Sequence, residues 1–574
     1  MRKLSKYLKP HILFALLAPI CMFVEVAGEL LLPQIMAEIV DVGIAEKNTE
    51  FIVTRSLFML LISILGIFGG VGCGVFSSKA SQNFGSDLRL EMFKKIQTFS
   101  FVNLDKFQIS SLITRLTNDI TQVQQVVISF LKMLIRSPLL FIGSLFMAFS
   151  INPKLTNILF AAVIILIIIT ALIIKKGAVL FEIVQKKLDS VNTIIRENLS
   201  GVRVVKAFVR SDLEKKKFKI SNEELKDYTI KAFRIMTTII PVMMIILNIT
   251  TILVLWFGGK EIENDVMEKG DLMAYITYIT QMLMSLMMTG MAIMTLSRGG
   301  ASINRINEIL DTEPDIVNSP NPIKDAINEG SVEFKNVSIK YPNSSGDLIL
   351  ENINFTAKKG ETIGILGETG SGKSTFVNLI PRLYDVTEGE ILIDGKNIKE
   401  MDISYLREEI GIVLQKAILF STTIKENIKW GNKNASDEEV YEAAKKSQAY
   451  DFIMNMPDKF DTELGQMGVN LSGGQKQRIS IARTLIKNPK ILILDDSTSA
   501  VDTQTEAKIQ KVLRNMKNTT KLIIAQKISS VINADKIIII SDGKIVASGN
   551  HNELIKTSKI YKDIYDSQIR EEDL

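Results

Sequence analysis

Long apolar runs fill the first half of the chain and are absent from the second half. Six of these runs are long enough to cross about 30 Å of hydrocarbon as α-helices. They cover approximately residues 12–33, 54–77, 127–150, 155–174, 236–257 and 272–296. The pattern therefore predicts six membrane-spanning helices, although the first run contains the acidic residues Glu25 and Glu29.

The segments between the predicted spans differ in length and in charge. Segments 34–53 and 258–271 are short and acidic, whereas segments 78–126 and 175–235 are long and rich in lysine and arginine. Because lysine and arginine are retained on the cytoplasmic side of a membrane, we expect the long segments and both termini in the cytoplasm. Apolar residues at helical spacing predict that the spans continue into water as long helices.

The pattern changes after residue 310, where Pro314, Pro320 and Pro322 interrupt regular structure. Beyond Ser331, short apolar runs alternate with helical stretches, which is typical of an α/β domain. Strands are predicted at 332–334 and 337–341 as a hairpin, and at 362–366, 490–495 and 521–525. Helix is predicted from Lys373 and across most of 435–488.

Composition narrows the class of protein further. The net charge of +5 lies largely in loops near the predicted membrane, so nucleic acid is not expected as a partner. Cys21 and Cys73 both fall inside predicted spans, which favours buried apolar residues over a disulfide framework. The basic start of the chain has no small-residue cleavage site, so an interfacial helix is favoured over a signal peptide.

The stretch Gly-Glu-Thr-Gly-Ser-Gly-Lys-Ser, from Gly367 to Ser374, is a Walker A phosphate-binding loop. Its glycines let backbone N–H groups surround phosphate oxygens, Lys373 neutralises charge, and Ser374 offers a hydroxyl to Mg²⁺. We expect ATP and Mg²⁺ as cofactors. The residues expected to hold nucleotide here are Gly367, Glu368, Thr369, Gly370, Ser371, Gly372, Lys373, Ser374 and Thr375.

A second motif, Leu-Ser-Gly-Gly-Gln at 471–475, follows later in the chain. Its glycines open a helix whose N-terminus can approach a γ-phosphate. The strand Ile491–Asp495 supplies the Walker B carboxylate that accompanies such a loop. The order of these motifs predicts an α-helical six-span membrane domain at 1–310, a linker at 311–330, and an α/β P-loop ATP-binding cassette with a helical subdomain at 331–574.

With these motifs in place, the whole chain resembles the half-transporters of the ABC exporter family, in their type IV membrane fold. The resemblance covers essentially all 574 residues and is closest to the degenerate-site subunits of bacterial heterodimeric multidrug exporters. It implies an ATP-driven exporter of amphipathic compounds or drugs in the bacterial plasma (inner) membrane, with the cassette in the cytoplasm. The implied partners are a second half-transporter, the lipid bilayer and a small amphipathic substrate.

The resemblance also implies roles for individual residues. Tyr341 matches the aromatic that stacks on adenine, Gln415 matches the Q-loop residue that touches Mg²⁺, and Asp495 matches the carboxylate that holds Mg²⁺ through water. Together with Ser374, Gln415 and Asp495 form the expected metal set. The remaining residues expected to bind nucleotide are the signature residues Ser472, Gly473, Gly474 and Gln475 and the D-loop residue Asp502.

Two residues depart from the family pattern. Asp496 occupies the position of the hydrolytic glutamate, and Gln526 occupies that of the switch histidine. One methylene fewer retracts a carboxylate by roughly 1.3–1.5 Å, whereas a general base must reach its water at about 2.6–3.2 Å. Glutamine donates hydrogen bonds but has no titratable nitrogen. These catalytic positions imply a site that binds ATP better than it hydrolyses it. They also imply a partner that supplies the Walker B glutamate and the switch histidine. The alternative is a homodimer that is active despite these two substitutions.

The resemblance assigns Leu112–Asp119 to a first coupling region, Glu197–Arg203 to a second, and Thr462–Gly468 to the X-loop, in which Gln466 and Met467 replace the usual charged pair. These segments would connect the cassettes to the membrane domain. Other readings stay open at this point. They are a lipid or peptide exporter, an importer built on the exporter fold, and a regulatory or channel-like protein that ATP gates.

Charged residues inside the predicted spans are candidates for substrate contact. Glu25 and Glu29 lie four residues apart and therefore on one face of a helix. They could line a path for cationic or amphipathic substrates, or form a gate or helix contact. Lys132 and Arg136 are expected to snorkel or to pair.

Overall fold

The computed structural model describes residues 3–324, 327–341, 346 and 348–572. These residues form two compact units, Met1–Lys95 with Leu112–Asp311 and Ile96–Ser111 with Thr312–Leu574. The prediction of six membrane spans is confirmed, because six helices of the described chain are long and apolar enough to cross a bilayer. They are Lys9–Ile44, Thr49–Gln97, Ile109–Ile151, Pro153–Ser200, Ser211–Glu263 and Lys269–Gly290.

Most of the long helices extend well beyond the apolar runs, as the sequence predicts for the cytoplasmic segments. Short turns at Leu4–Tyr7 and Lys9–His11 precede the first of them, and Cys21 and Cys73 are free cysteines. The α-helices as far as residue 311 are α1 (Ile12–Glu38), α2 (Thr49–Gln97), α3 (Phe101–Lys106), α4 (Ile109–Thr114), α5 (Ile120–Leu131), α6 (Met133–Ile151), α7 (Pro153–Ser200), α8 (Val202–Ala207), α9 (Ser211–Thr237), α10 (Ile239–Glu263) and α11 (Lys269–Asp311).

Two buried tyrosines of the first unit have hydrogen-bond partners for their hydroxyl groups. The side chains of Tyr275 and Tyr278 on α11 are fully buried. The Tyr278 hydroxyl donates to the carbonyl of Leu30 at 2.7 Å, and the Tyr275 hydroxyl lies 3.1 Å from that of Thr156. Because an unpaired polar group in hydrocarbon costs several kcal/mol, these bonds allow two tyrosines to pack in the interior of the unit.

The predicted first coupling region, Leu112–Asp119, follows a segment that belongs to the other unit. Ile96–Ser111 belongs to the second unit, whereas Leu112–Asp119 belongs to the first. Asp119 there accepts hydrogen bonds from Arg305 at 2.7 Å and Ser302 at 2.9 Å, which join it to α11. Asp119 therefore makes these contacts within the first unit, and the coupling role of Leu112–Asp119 stays a prediction.

The second unit is an α/β domain built on two sheets. One sheet has the strand order β2-β1-β4-β5 and the other the order β10-β9-β3-β8-β7-β6. The strands are β1 (Val332–Ile339), β2 (Leu350–Ala357), β3 (Thr362–Leu366), β4 (Glu388–Ile393), β5 (Lys396–Asn397), β6 (Ile410–Val413), β7 (Ile491–Asp495), β8 (Thr520–Ile524), β9 (Lys536–Ser541) and β10 (Lys544–Gly549). The helices are α12 (Lys373–Leu379), α13 (Ile403–Glu409), α14 (Ile424–Lys429), α15 (Asp437–Lys446), α16 (Tyr450–Met454), α17 (Gly473–Leu485), α18 (Thr503–Asn515), α19 (His551–Thr557) and α20 (Lys559–Glu572).

The predicted hairpin at 332–341 is wrong, because β1 is a single strand that pairs antiparallel with β2 and β4. Its register shifts between Phe334 and Val337, and Asn336 between them has φ of 50°. A left-handed residue inside a strand is typical of a β-bulge. The polar residues that indicated a turn therefore mark this irregularity.

Strand order places the functional loops together. β3 pairs in parallel with β8, and β8 pairs in parallel with β7. Parallel strands present their carboxyl ends at one edge of a sheet, where ligands of α/β proteins bind. The loops that follow these three strands therefore lie side by side. They contain the Walker A residues, Asp496 and Gln526.

Candidate nucleotide-binding site

The phosphate-binding loop connects β3 to α12. Gly367, Gly370 and Gly372 have φ values of 150°, 87° and 99°, which side chains rarely adopt. A Cβ at Gly367 would also lie 2.2 Å from the carbonyl oxygen of Ile540. Glycine is therefore required here by both conformation and space, and the loop keeps its backbone accessible to a ligand.

Lys373 folds back over this loop. Its ammonium donates hydrogen bonds to the carbonyl oxygens of Gly367 at 2.8 Å and Glu368 at 2.6 Å. Burial lowers the pKa of Lys373, and the nearby carboxylates of Asp495 and Asp496 partly oppose that shift. An ammonium held at the rim of a glycine-rich loop is placed to meet phosphate oxygens.

The other residues of the loop differ in exposure. Glu368, Thr369 and Gly370 are exposed, whereas Ser371 and Thr375 are buried. The Ser371 hydroxyl is buried and has no hydrogen-bond partner in the described structure. Such an unsatisfied group at a phosphate loop fits a site that is completed by a ligand.

The Walker B strand brings a carboxylate to the same place. Asp495, the last residue of β7, accepts a hydrogen bond of 3.1 Å from the Ser374 hydroxyl. Burial raises the pKa of Asp495, and the Ser374 hydrogen bond opposes the rise. A hydroxyl beside a carboxylate supplies the oxygen ligands that Mg²⁺ prefers, so these two residues fit the expected ion.

Asp496 is held by two amide side chains. Its Oδ2 accepts hydrogen bonds from Gln526 Nε2 at 2.6 Å and from Gln415 Nε2 at 3.3 Å. Asp496 is only 6% exposed, and its φ of 47° is left-handed. Burial raises the pKa of this carboxyl, while the two amides act in the opposite direction. The two residues that depart from the family pattern are therefore in direct contact.

Two glutamines that the sequence analysis missed support this arrangement. Gln568 of α20 donates to the carbonyl of Gln526 at 2.9 Å and accepts from the N–H of Ile528 at 2.8 Å. Gln477 of α17 contacts the carbonyl of Gln415 at 3.5 Å and accepts from the N–H of Ala500 at 3.3 Å. Gln477 follows the signature by two residues, so its place beside the site could have been predicted from the sequence. No motif in the sequence marks Gln568.

The signature forms the N-terminus of α17. Ser472 caps this helix, because its hydroxyl accepts from the N–H of Gln475 at 3.3 Å while its own N–H donates to Gln475 Oε1 at 2.9 Å. A Cβ at Gly474 would lie 2.8 Å from the carbonyl oxygen of Ala500, whereas one at Gly473 would meet no atom closer than 3.8 Å. Asp502 caps α18 in the same way, by accepting from Thr505. Among the described residues, no hydrogen bond joins Ser472–Gln475 or Asp502 to the Walker A loop.

Tyr341 lies between the nucleotide loop and an aromatic neighbour. Its hydroxyl is 3.1 Å from that of Thr375, and its ring packs edge-on against Tyr384 at a centroid distance of 4.8 Å. The Tyr384 hydroxyl donates to Asp105 at 2.8 Å, and Phe101 packs on the same ring. Burial, followed by the Asp105 carboxylate, raises the pKa of Tyr384. α3 is thus connected to the expected adenine position.

Comparison with known proteins agrees with this geometry. Residues 15–286 match the ABC transporter transmembrane region and residues 350–499 match the ABC transporter domain. The chain is 43% identical over 572 residues to the uncharacterized ABC transporter ATP-binding protein YfiB of Bacillus subtilis (strain 168), which covers 100% of this chain and 99% of that protein. It is 32% identical to an ATP-dependent lipid A-core flippase of Syntrophus aciditrophicus (strain SB), over 100% of this chain and 95% of the flippase.

A solved structure gives the same result for the fold. A bacterial Atm1-family ABC exporter with ATP bound superposes with a TM-score of 0.79 and 27% identity, over 98% of each chain. The six apolar helices and the α/β domain of this chain therefore form an exporter-type fold. The chain therefore belongs to the ABC transporter family, as an exporter-type half-transporter that is a multi-pass membrane protein with a cytoplasmic, ATP-binding cassette.

Proposed function

We propose that this chain is the degenerate-site half of a heterodimeric ABC exporter. In this proposal its own Walker site retains ATP·Mg²⁺, and a second half-transporter with the consensus glutamate and histidine performs most of the hydrolysis. The observation that carries the proposal is the pair of amide hydrogen bonds from Gln526 and Gln415 to Asp496 Oδ2. A general base needs a carboxylate oxygen within reach of the water, and this oxygen is already engaged.

The residues that would bind nucleotide are all present. Lys373 would contact phosphate oxygens, and Ser374 with Asp495 would hold Mg²⁺, which supplies positive charge against the phosphates when bound. Gln415 lies beside Asp496 and is available to the same ion through its amide oxygen. Affinity for ATP should therefore survive even though the activation of water is impaired.

The signature of this chain would serve the partner's nucleotide. Ser472–Gln475 form a capped helix N-terminus. In the described structure, no hydrogen bond joins these residues to the chain's own phosphate loop. A helix N-terminus attracts anions through its free N–H groups and its dipole. In the proposed dimer this end completes the competent site on the other chain.

Coupling to the partner is proposed to run through α8. This short helix lies between α7 and α9. Val204 within it is 60% exposed, and Phe208 and Val209 directly after it are 72% and 85% exposed. A cavity of about 380 Å³ adjoins it, lined by residues that include Ile194, Leu199, Val202, Val205 and Phe218. Apolar side chains exposed on a cytoplasmic segment are typical of a docking surface.

The substrate is proposed to be an amphipathic compound or drug that moves outward across a bacterial plasma membrane. Similarity to a protein named as a lipid A-core flippase supports an amphipathic substrate and keeps a lipid exporter as the second candidate. Import and ATP-dependent gating are the remaining alternatives. ATP-dependent movement of a fluorescent amphiphile in vesicles of known sidedness distinguishes export from import and from gating.

The test of asymmetry is subunit-resolved nucleotide trapping in the purified complex. We expect photo-crosslinked nucleotide on this chain to remain triphosphate over many cycles, while nucleotide on the partner turns over. The chain purified alone should bind ATP but hydrolyse it weakly. Equal hydrolysis at the two sites, or vigorous turnover by this chain as a homodimer, would reject the proposal.

A further inference from the structure

A cluster of charged side chains joins α1 to α6 within the predicted spans. The Arg136 guanidinium donates to Glu25 through Nη1 and to Glu29 Oε2 through Nη2 at 2.8 Å. The three side chains are 24%, 22% and 35% exposed, so they are neither fully buried nor freely solvated. Ionisable groups at such positions are expensive and usually mark a path or a binding site.

The charges of this cluster do not balance locally. Two carboxylates share one guanidinium, which leaves one negative charge in surplus. Lys132 precedes Arg136 by one helical turn, and its ammonium forms no ion pair or hydrogen bond with any other residue in the described part of the chain. An ammonium without an ion pair and a surplus carboxylate therefore occur within the same predicted spans, in a region of low dielectric.

Glycines on α2 let both charged groups lie close against this helix. A Cβ at Gly70 would lie 3.1 Å from Glu25 Oε2, and a Cβ at Gly74 would lie 3.6 Å from Lys132 Nζ. Gly70 and Gly74 are about one turn, or roughly 6 Å, apart along their helix. The negative and positive groups are thus offset along α2 by about the length of a small zwitterionic head group.

We propose that Glu25, Glu29, Arg136 and Lys132 bind the head group of a zwitterionic amphiphile, with its ammonium at the two glutamates and its acidic group at Lys132. A ligand with a single charge would leave one of the two protein charges uncompensated, which is costly away from water. A zwitterion neutralises both. This inference names the substrate class within the proposed transport function, but binding itself requires neither ATP nor the partner.

The test uses the full chain in dodecyl maltoside and three probes with the same tail. Isothermal titration compares dodecylphosphocholine, dodecyltrimethylammonium and dodecyl phosphate. We expect the zwitterion to bind about tenfold more tightly than either singly charged probe, because it makes one more charge contact with the protein. Equal affinity for the three probes would overturn the proposal.

Variants assign the two ends of the ligand. Lys132→Met should abolish the preference for the zwitterion over the cation, and Lys132→Arg should keep it. Glu29→Gln should abolish the preference over the anion. If the cluster is only a clamp between α1 and α6, the variants change the unfolding temperature and leave the order of the three affinities as it was, which overturns the proposal.

Matched controls come from a second ion pair of the same unit. Lys154 lies 3.4 Å from Glu261, and its side chain is 78% exposed. Lys154→Met and Glu261→Gln should leave all three affinities unchanged; a similar loss of selectivity in these variants would overturn the assignment. Should Glu29→Gln fail to fold, Lys132→Met still decides the outcome, because the Lys132 ammonium forms no ion pair or hydrogen bond among the described residues. Loss of transport with intact selective binding would reject the proposed function alone.

Discussion

The side-chain amide of Gln526 donates a hydrogen bond of 2.6 Å to the carboxylate of Asp496. The two residues are adjacent because they follow β8 and β7, which are parallel neighbours in the sheet. Each departs from the family pattern, and each satisfies the polar group of the other. A buried carboxylate that has a fixed donor is stabilised as a structural element, and it is less available as a base.

The first prediction concerns restoration of hydrolysis. Asp496→Glu extends the carboxylate by one methylene, and adding Gln526→His replaces the amide donor by a titratable ring. We expect the single variant to raise turnover at this site and the double variant to raise it further, within the roughly 10²–10⁴-fold that a general base contributes. Turnover is measured in a complex whose partner lacks its own catalytic glutamate. Unchanged turnover in both variants would show that another part of the composite site is limiting.

The second prediction concerns the contact between α3 and the cassette. Tyr384→Phe removes the hydroxyl that donates to Asp105 and keeps the ring beside Tyr341. We expect nearly unchanged ATP affinity but a reduced stimulation of ATPase activity by transported substrate. Loss of one such hydrogen bond should destabilise the unit by about 1 kcal/mol.

The matched control is Tyr405→Phe, which also removes a tyrosine hydroxyl from the same unit. That hydroxyl accepts a hydrogen bond from the N–H of Ile327 at 3.0 Å, and no hydrogen bond joins it to α3 among the described residues. Its loss should affect stability and leave substrate stimulation intact. Identical effects of the two variants would argue against a specific role for Tyr384.

The third prediction concerns the exposed apolar residues beside α8. Phe208→Ala and Val204→Ser should lower transport more than ATP binding, because they weaken the proposed docking to the partner's cassette. The ratio of substrate moved to ATP hydrolysed is the measurement. Ile220→Ser on α9 removes an apolar side chain that is 61% exposed and serves as the control. An unchanged ratio in the α8 variants would contradict the docking assignment.

The fourth prediction concerns Asp394 and acid stability. Burial acts to raise its pKa, but N–H donors from Asn328, Glu329, Gly330 and Ser331 outweigh it, and the pKa lies below the ordinary value. A carboxyl with a lowered pKa in the folded state stabilises above its unfolded pKa of about 3.9, and that stability is lost as the pH falls below this value.

Asp394→Asn should therefore lower the free energy of unfolding of this unit near neutral pH by about 1 kcal/mol, after allowance for partial solvent screening. The difference between the two proteins should shrink as the pH falls towards 3. Thermal unfolding at several pH values is the measurement, and Asp458→Asn, at an exposed position, is the control. A difference that stays constant with pH would show that ionisation of Asp394 has no part in it.

Local patterns account for the features that the sequence predicted. The spans follow from uninterrupted apolar runs, and the phosphate loop follows from glycine spacing between a strand and Lys373. The contact between Asp496 and Gln526 depends on the order of strands, which the motifs alone do not specify. The bulge at Asn336 and the place of Ile96–Ser111 depend on pairing and packing between distant segments. Such contacts leave no periodic signal in the sequence.

The cap on α17 has a kinetic consequence. The side chains of Ser472 and Gln475 each accept a hydrogen bond from the other residue's backbone N–H. In this pair the Ser472 hydroxyl is an acceptor and does not donate its own hydrogen. A phosphate oxygen can accept a hydrogen bond from this hydroxyl while the cap of the helix stays intact. Because this helix end is already capped, it should lose little conformational entropy when it binds a phosphate. In the proposed dimer, closure around ATP should accordingly be limited by how fast the two halves meet and separate, and not by refolding of this helix end.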